Sequence, residues 1–169
     1  MEKFGLRLHP EKTRLIEFGR LAAWRRWRRG EGRRESFDFL GFTHRWVPNR
    51  RDTAFVLRRS TAKKRLRAKL KEVGATLRKQ CHAPLGRQGL WLSRVVRGYF
   101  AYHAVPGTMA ALESFRTGVT RHWLQALRRR GQRGRLNWAR FRPLVDFWLP
   151  RPEIQHPYPN VRFDAKHPR

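Results

Sequence analysis

The stretch RRRGQRGRLNWARFR at residues 128–142 alternates guanidinium groups with two aromatic rings, Trp138 and Phe141. Arginine offers a rigid fork of donors that matches phosphate oxygens and stacks on bases, and an aromatic face holds an unpaired base. Arg128, Arg129, Arg130, Arg133 and Arg135 lie so close together in sequence that they repel one another unless something anionic lies across them. Gln132 adds a neutral donor and acceptor to that run. The chemistry on offer is therefore non-covalent recognition of RNA or single strands, phosphate by arginine and base by ring. For Trp138 and Phe141 packing as core beneath neighbouring helices stays open.

A second set of cations lies upstream at helical spacing: Lys63, Lys64, Arg67 and Lys71, then Arg94 and Arg97. The chain as a whole has 40 Lys and Arg against 12 Asp and Glu, a formal net charge of +28, and a pI near 12. Eight of those cations are Lys, leaving 32 Arg. Between Glu72 and Asp146 the only acid is Glu113. A charge so large and so unopposed points to nucleic acid as the partner. Other chemistries are poorly supplied. There is no Gly-rich phosphate loop, no Ser-His-Asp spacing and no cluster of metal-ligand type, so neither a metal nor a cofactor is expected. His103 and His122 fall within expected helices, as partners of carbonyl groups rather than ligands. The single cysteine, Cys81, excludes an internal disulfide and any paired-cysteine zinc site, and it reads as a small buried filler.

These residues must be positioned by a folded scaffold. With 169 residues, 40% hydrophobic and 12% aromatic, the chain can build a core and is not a disordered basic tail. No apolar run of about 18 residues exists and the N-terminus lacks a signal-peptide core, so a soluble cytoplasmic protein without membrane contact is expected.

The pattern is α+β. FGLRL, HPEK and TRLIEF, within residues 4–18, read as strand, turn and strand. Residues 21–35 read as a charged, Gly-punctuated, mobile insertion. FDFLGF at 37–42 reads as a strand apolar on both faces, with TAFVLRR at 53–59 returning beside it through the turn PNRRD. From Ser60 the period lengthens to about 3.6. Ser60 or Thr61 would cap a helix with Leu66, Leu70, Val73, Leu77 and Cys81 on one face. A second helix over about 88–104 would carry Trp91, Val95, Tyr99 and Tyr102. A third, after Gly107 and capped by Thr108, would carry Leu112, Phe115, Val119, Trp123 and Leu127 and stop at Gly131. The expected organisation is a strand-rich segment at 1–59, a three-helix bundle at 60–149, and an extended Pro-rich tail at 150–169. That tail would wrap the bundle through Ile154, Tyr158 and Phe163.

Three blocks in this order resemble the reverse transcriptase and maturase proteins encoded by group II introns, which are mobile genetic elements. GLRLHPEKTRLIEFG resembles the last hairpin of their polymerase palm. FDFLGF resembles their primer grip. The stretch 60–148, with WLSRVVRGYFAYHAVP and HWLQALRRR, and the closing LPRPEIQHPYPNVRF resemble their thumb, the maturase domain. The resemblance implies RNA binding that assists intron splicing and holds template-primer during RNA-directed DNA synthesis. Group II intron RNA and an RNA/DNA template-primer are the implied partners. It implies a primer-grip role for Phe39, Leu40, Gly41 and Phe42. Lys12 matches the family's palm lysine, which here reads as a turn lysine on the surface. After the third helix the chain has Arg130-Gly131-Gln132 where many relatives have Arg-Ser-Gln, a departure that keeps the charge and Gln132.

Polymerisation in that family requires adjacent aspartates that hold two metal ions. Asp38, Asp52, Asp146 and Asp164 are the only aspartates and none are neighbours, so catalysis by this chain alone is not expected. The alternatives are a thumb acting by itself, a split segment that needs a separate finger and palm portion, and an inactive remnant with only generic nucleic-acid binding. Leu6, Leu8, Leu15 and Ile16 need covering by a sheet the chain does not supply, which favours the last two.

Overall fold

The computed structural model describes residues 5, 9, 13–19, 21–31, 35–48, 55–130 and 136–158. Among them are five helices and a three-stranded antiparallel sheet of order β1-β2-β3, a mixed α+β chain. The elements are α1 (Ala22–Arg28), β1 (Phe37–Phe39), β2 (Phe42–Pro48), β3 (Phe55–Thr61), α2 (Lys63–Lys79), α3 (Leu85–His103), α4 (Met109–Arg128) and α5 (Trp138–Trp148). The chain divides into two compact units, one of Met1–Phe39 with Thr43–Arg58, the other of Leu40–Phe42 with Arg59–Arg169.

In the first unit, part of the segment that reads in sequence as a mobile insertion is helical and is surrounded by ion pairs. Residues Ala22–Arg28 are helical. Arg14 pairs with Glu35 at 2.5 Å, Arg26 with Glu31 at 3.4 Å, and Arg29 with Glu31 at 2.7 Å and with Glu17. Hydrogen bonds from Arg29 hold the Glu31 carboxyl below the usual range, and Arg14 does the same for Glu35. Three aromatic residues gather beside this network, Phe18 edge-on to Phe37 at 4.8 Å and Phe18 tilted against Trp46 at 6.0 Å. The expected first hairpin is not formed by the residues that are described: 13–18 carry no strand, and Leu6, Leu8 and Lys12 lie outside them.

FDFLGF is not one strand. Leu40 and Gly41 both have positive φ, 47° and 79°, so the chain reverses there as a two-residue type I′ hairpin between β1 and β2. β3 accordingly pairs with β2 and not with FDFLGF's first half. Of the turn PNRRD, 49–52 lie outside the described residues.

The second unit is helical, with four helices where the sequence pattern suggests three. α2 packs on α4, and α3 on both α4 and α5. The stripe Leu112, Phe115, Val119 and Trp123 is fully buried, and Val73, Leu77, Leu92, Val96, Phe100 and Phe141 join it. Each such side chain contributes about 1.5–3 kcal/mol by leaving water. Two glycines permit close helix approach. A Cβ on Gly118 would meet Leu70 at 2.8 Å, and one on Gly89 would lie 2.6 Å from Trp148 Cγ.

Helix boundaries and faces depart from the sequence pattern in identifiable ways. Neither Ser60 nor Thr61 caps α2. Thr61 ends β3, and Ala62 is the N-cap with no side-chain bond. Cys81 falls beyond α2 and is half-buried. On α3 the inward face is Leu92, Val96, Tyr99, Phe100 and His103, while Tyr102 is 52% exposed. Thr108 does precede α4, but its hydroxyl donates back to the His103 and Val105 carbonyls at 2.7 and 2.8 Å. The tail is tied by backbone rather than by apolar side chains. Gln155 N and His156 N donate to Ala104 O at 3.0 and 3.2 Å, whereas Tyr158 is exposed and Phe163 lies outside the described residues.

Candidate nucleic-acid interface

α2 begins with KKRLRAKL, whose leucines turn to α4 and leave Lys63, Lys64, Arg67 and Lys71 exposed. Among the described residues none of the four makes an ion pair or a side-chain hydrogen bond; on this helix it is Lys69 that pairs, with Glu72 at 2.8 Å. Arg94 and Arg97 are exposed on α3, opposite its buried face, and are also unpaired among the described residues. Arg129, the C-cap of α4, is exposed and likewise unpaired. These side chains are free to meet phosphate without first breaking an internal bond.

The end of α4 behaves differently from a solvated charge run. Arg130 is half-buried, and its Nε and Nη2 donate to the Cys81 and Ala83 carbonyls. It clasps the α2–α3 loop to the end of α4, so its guanidinium is spent on structure. Arg128 Nε donates to Leu136 O at 2.9 Å, holding the entry to α5 while the side chain stays exposed. Gln132, Arg133 and Arg135 lie outside the described residues.

The remaining aromatic residues of that stretch separate. Phe141 is fully buried against Trp123 with ring centroids 5.3 Å apart, and Trp138 is 51% exposed. Both belong to α5, which sequence reasoning missed. The signal was Asn137, whose side chain accepts from Arg140 N at 2.9 Å and caps the helix. Pro143 masked it. Proline removes the bond to Ala139 O, but both residues are exposed, so water can serve that carbonyl.

The Leu40–Gly41 turn belongs to the helical unit and is held there at both carbonyls. Tyr102 Oη donates to Leu40 O at 2.8 Å, and Ala62 N donates to Gly41 O at 2.9 Å. Phe42 stacks on Tyr102 at 5.8 Å and meets His103 edge-on at 5.3 Å. Leu40 and Phe39 point outward, 67% and 59% exposed. A leucine in the left-handed region is strained by about 1 kcal/mol or more, and such strain is worth a functional hypothesis. Behind the turn, burial pushes His103 below its ordinary value and Tyr99 up to about 12.

Within the helical unit a cleft of about 800 Å³ opens between α4, α5 and residues 150–152, with Arg116, Trp138, Arg142 and Arg151 in its lining. Trp138 and Arg142 belong to the arginine–aromatic stretch 128–142 singled out from the sequence; Arg151 does not. Among the described residues no group of three or more His, Cys, Asp or Glu comes together, and no helix is long and apolar enough to cross a membrane.

Comparison with protein families, with curated proteins and with solved structures returned no match.

Proposed function

We propose that this chain binds RNA as the thumb, or maturase, portion of a group II intron reverse transcriptase, assisting intron splicing and holding template-primer. The observation that carries the reading is the set Lys63, Lys64, Arg67, Lys71, Arg94, Arg97 and Arg129, exposed and without internal partners among the described residues, on helices whose opposite faces are core. The mechanism is non-covalent: each cation that meets a phosphate releases condensed counterions, so affinity depends steeply on salt. The strained and outward Leu40–Gly41 turn supports a grip on a strand end, because it presents the exposed Leu40 side chain beside a backbone fixed at two carbonyls.

The test compares binding of the whole chain to a structured group II intron RNA and to an unrelated structured RNA of equal length at physiological salt. Tighter binding of the intron RNA supports the maturase reading. Equal affinity for both contradicts it and leaves generic attraction of phosphate. A second reading, a split segment that works beside a separate finger and palm portion, is favoured by Leu15, which is 97% exposed in a stretch that resembles a palm strand. Co-expression with such a portion would then raise solubility and affinity together.

A further inference from the structure

We infer that the cleft between α4 and α5 takes one unpaired nucleotide of a single-stranded RNA, its base on Trp138 and its flanking phosphates on Arg142 and Arg151. The inference rests on the RNA-binding reading and gives that reading a second contact of different chemistry. At about 800 Å³ the cleft is within the size range of sites that enclose small ligands, about 300–1,000 Å³. Trp138 lines it with its ring half-exposed, anchored sideways on Phe141 at 5.9 Å between centroids. A tryptophan left open in a concave cleft of mixed apolar and charged lining offers a stacking face that no side chain of the described residues fills.

The charges sort the two ends of a nucleotide. Arg142 and Arg151 line the cleft with no ion pair or hydrogen bond among the described residues, so both forks are available to phosphate. Arg116 is committed elsewhere: its Nε donates to Pro150 O at 3.1 Å, and its Nη2 donates to Leu149 O at 3.2 Å and reaches Asp146 at 3.4 Å. It shapes the wall by holding residues 149–150 against α4. Glu113 and Asp146 repel phosphate and accept from the amino groups of a base, so they suit the base edge. A paired duplex presents neither a free ring face nor a base edge of this kind, and its convex phosphate ridges do not enter a concave cleft. The ligand is therefore an unpaired residue.

The test measures affinity of the full chain for a short unstructured RNA and for the corresponding RNA duplex, in wild type, Trp138→Ala, Trp138→Phe and the double variant Arg142→Gln/Arg151→Gln. Trp138→Ala is expected to weaken single-strand binding about 5- to 150-fold, the span associated with one stacked base, and to change duplex binding less than about twofold. Trp138→Phe is expected to keep most of the affinity. If Trp138→Ala unfolds, the double variant decides, since its two side chains make no internal bond among the described residues and its loss should again fall on the single strand. Single-strand affinity unchanged in the alanine and double variants, or an equal loss on both RNAs, would overturn the cleft proposal while RNA binding itself stands. Binding of neither RNA by the wild type would overturn the RNA reading and the cleft with it.

Discussion

Replacing Gln88 by leucine should cost far more than its position in an arginine-rich, helical chain suggests. Gln88 is fully buried; its Oε1 accepts from Trp123 Nε1 at 3.1 Å, and its Nε2 donates to Gln80 O. Leucine is apolar, ends one bond short of the glutamine amide, and removes both bonds. The Trp123 indole, itself fully buried, then keeps an N–H with nothing to accept it, a loss of about 1–3 kcal/mol. Gln80 is only half-buried, so its carbonyl can turn to water and adds about 0.5–1.5 kcal/mol. Gln88→Leu is therefore expected to destabilise the chain by about 1.5–4.5 kcal/mol, measured by urea denaturation with far-UV circular dichroism. The same substitution in a Trp123→Phe background meets no orphaned donor, and its cost there should be smaller by about 1–3 kcal/mol. A loss below about 0.5 kcal/mol, or the same loss in both backgrounds, would refute the argument that this bond holds α3 to α4.

Other consequences are open to the same kind of measurement. Gly89→Ala forces a methyl into the Trp148 indole and should destabilise by about 1–3 kcal/mol, whereas Gly98→Ala, with open space around its Cβ, should be neutral or slightly stabilising in the same urea series. His103 is 8% exposed, its Nδ1 has no hydrogen-bond partner among the described residues, and burial lowers its pKa. Its contribution to stability is thus fully present above the pKa of an unfolded histidine and is lost as pH falls through the lower folded value; melting between neutral and acid pH should show that slope, and His103→Gln should flatten it. Tyr99, pushed up to about 12 by burial, supplies stability up to the unfolded tyrosine pKa and loses it as pH rises towards about 12, which alkaline denaturation of Tyr99→Phe would remove. Leu40→Gly relieves the positive φ while giving up little burial, so it should stabilise by about 1 kcal/mol and, if the turn grips a strand end, weaken template-primer binding.

How much of this was legible in sequence depended on whether polarity and position agreed. The α4 stripe could be read because Leu112, Phe115, Val119 and Trp123 recur at helical spacing between polar neighbours, and all four are buried. α3 is apolar on two faces, so its period left the phase undetermined; the aromatic residues suggested Tyr102, and the core took Leu92, Val96 and the polar Gln88 instead. The Leu40–Gly41 reversal was hidden because leucine is a poor residue for a type I′ turn, and bonds from the distant Tyr102 and Ala62 help hold it there. For the candidate interface, the lysines and arginines of α2 and α3 lie on the exposed faces that their spacing implied. Arg130 does not follow that logic, because a guanidinium can bind backbone carbonyls as readily as phosphates, and nothing in a run of three arginines tells which one turns inward. The cleft needed α5 and residues 149–152 to come together, a juxtaposition that local pattern does not encode.

The most direct test of the account is the salt dependence of RNA binding by the whole chain, compared with a variant in which Lys63, Lys64, Arg67 and Lys71 are glutamine. All four side chains are exposed and make no internal bond among the described residues, so folding should be unchanged. The wild type is expected to lose affinity steeply with salt, and the variant's log–log slope should be shallower by about 0.7–0.9 for each of the four that meets a phosphate. A wild-type affinity indifferent to salt, or a variant with the wild-type slope, would contradict the claim that this cationic helical surface grips RNA.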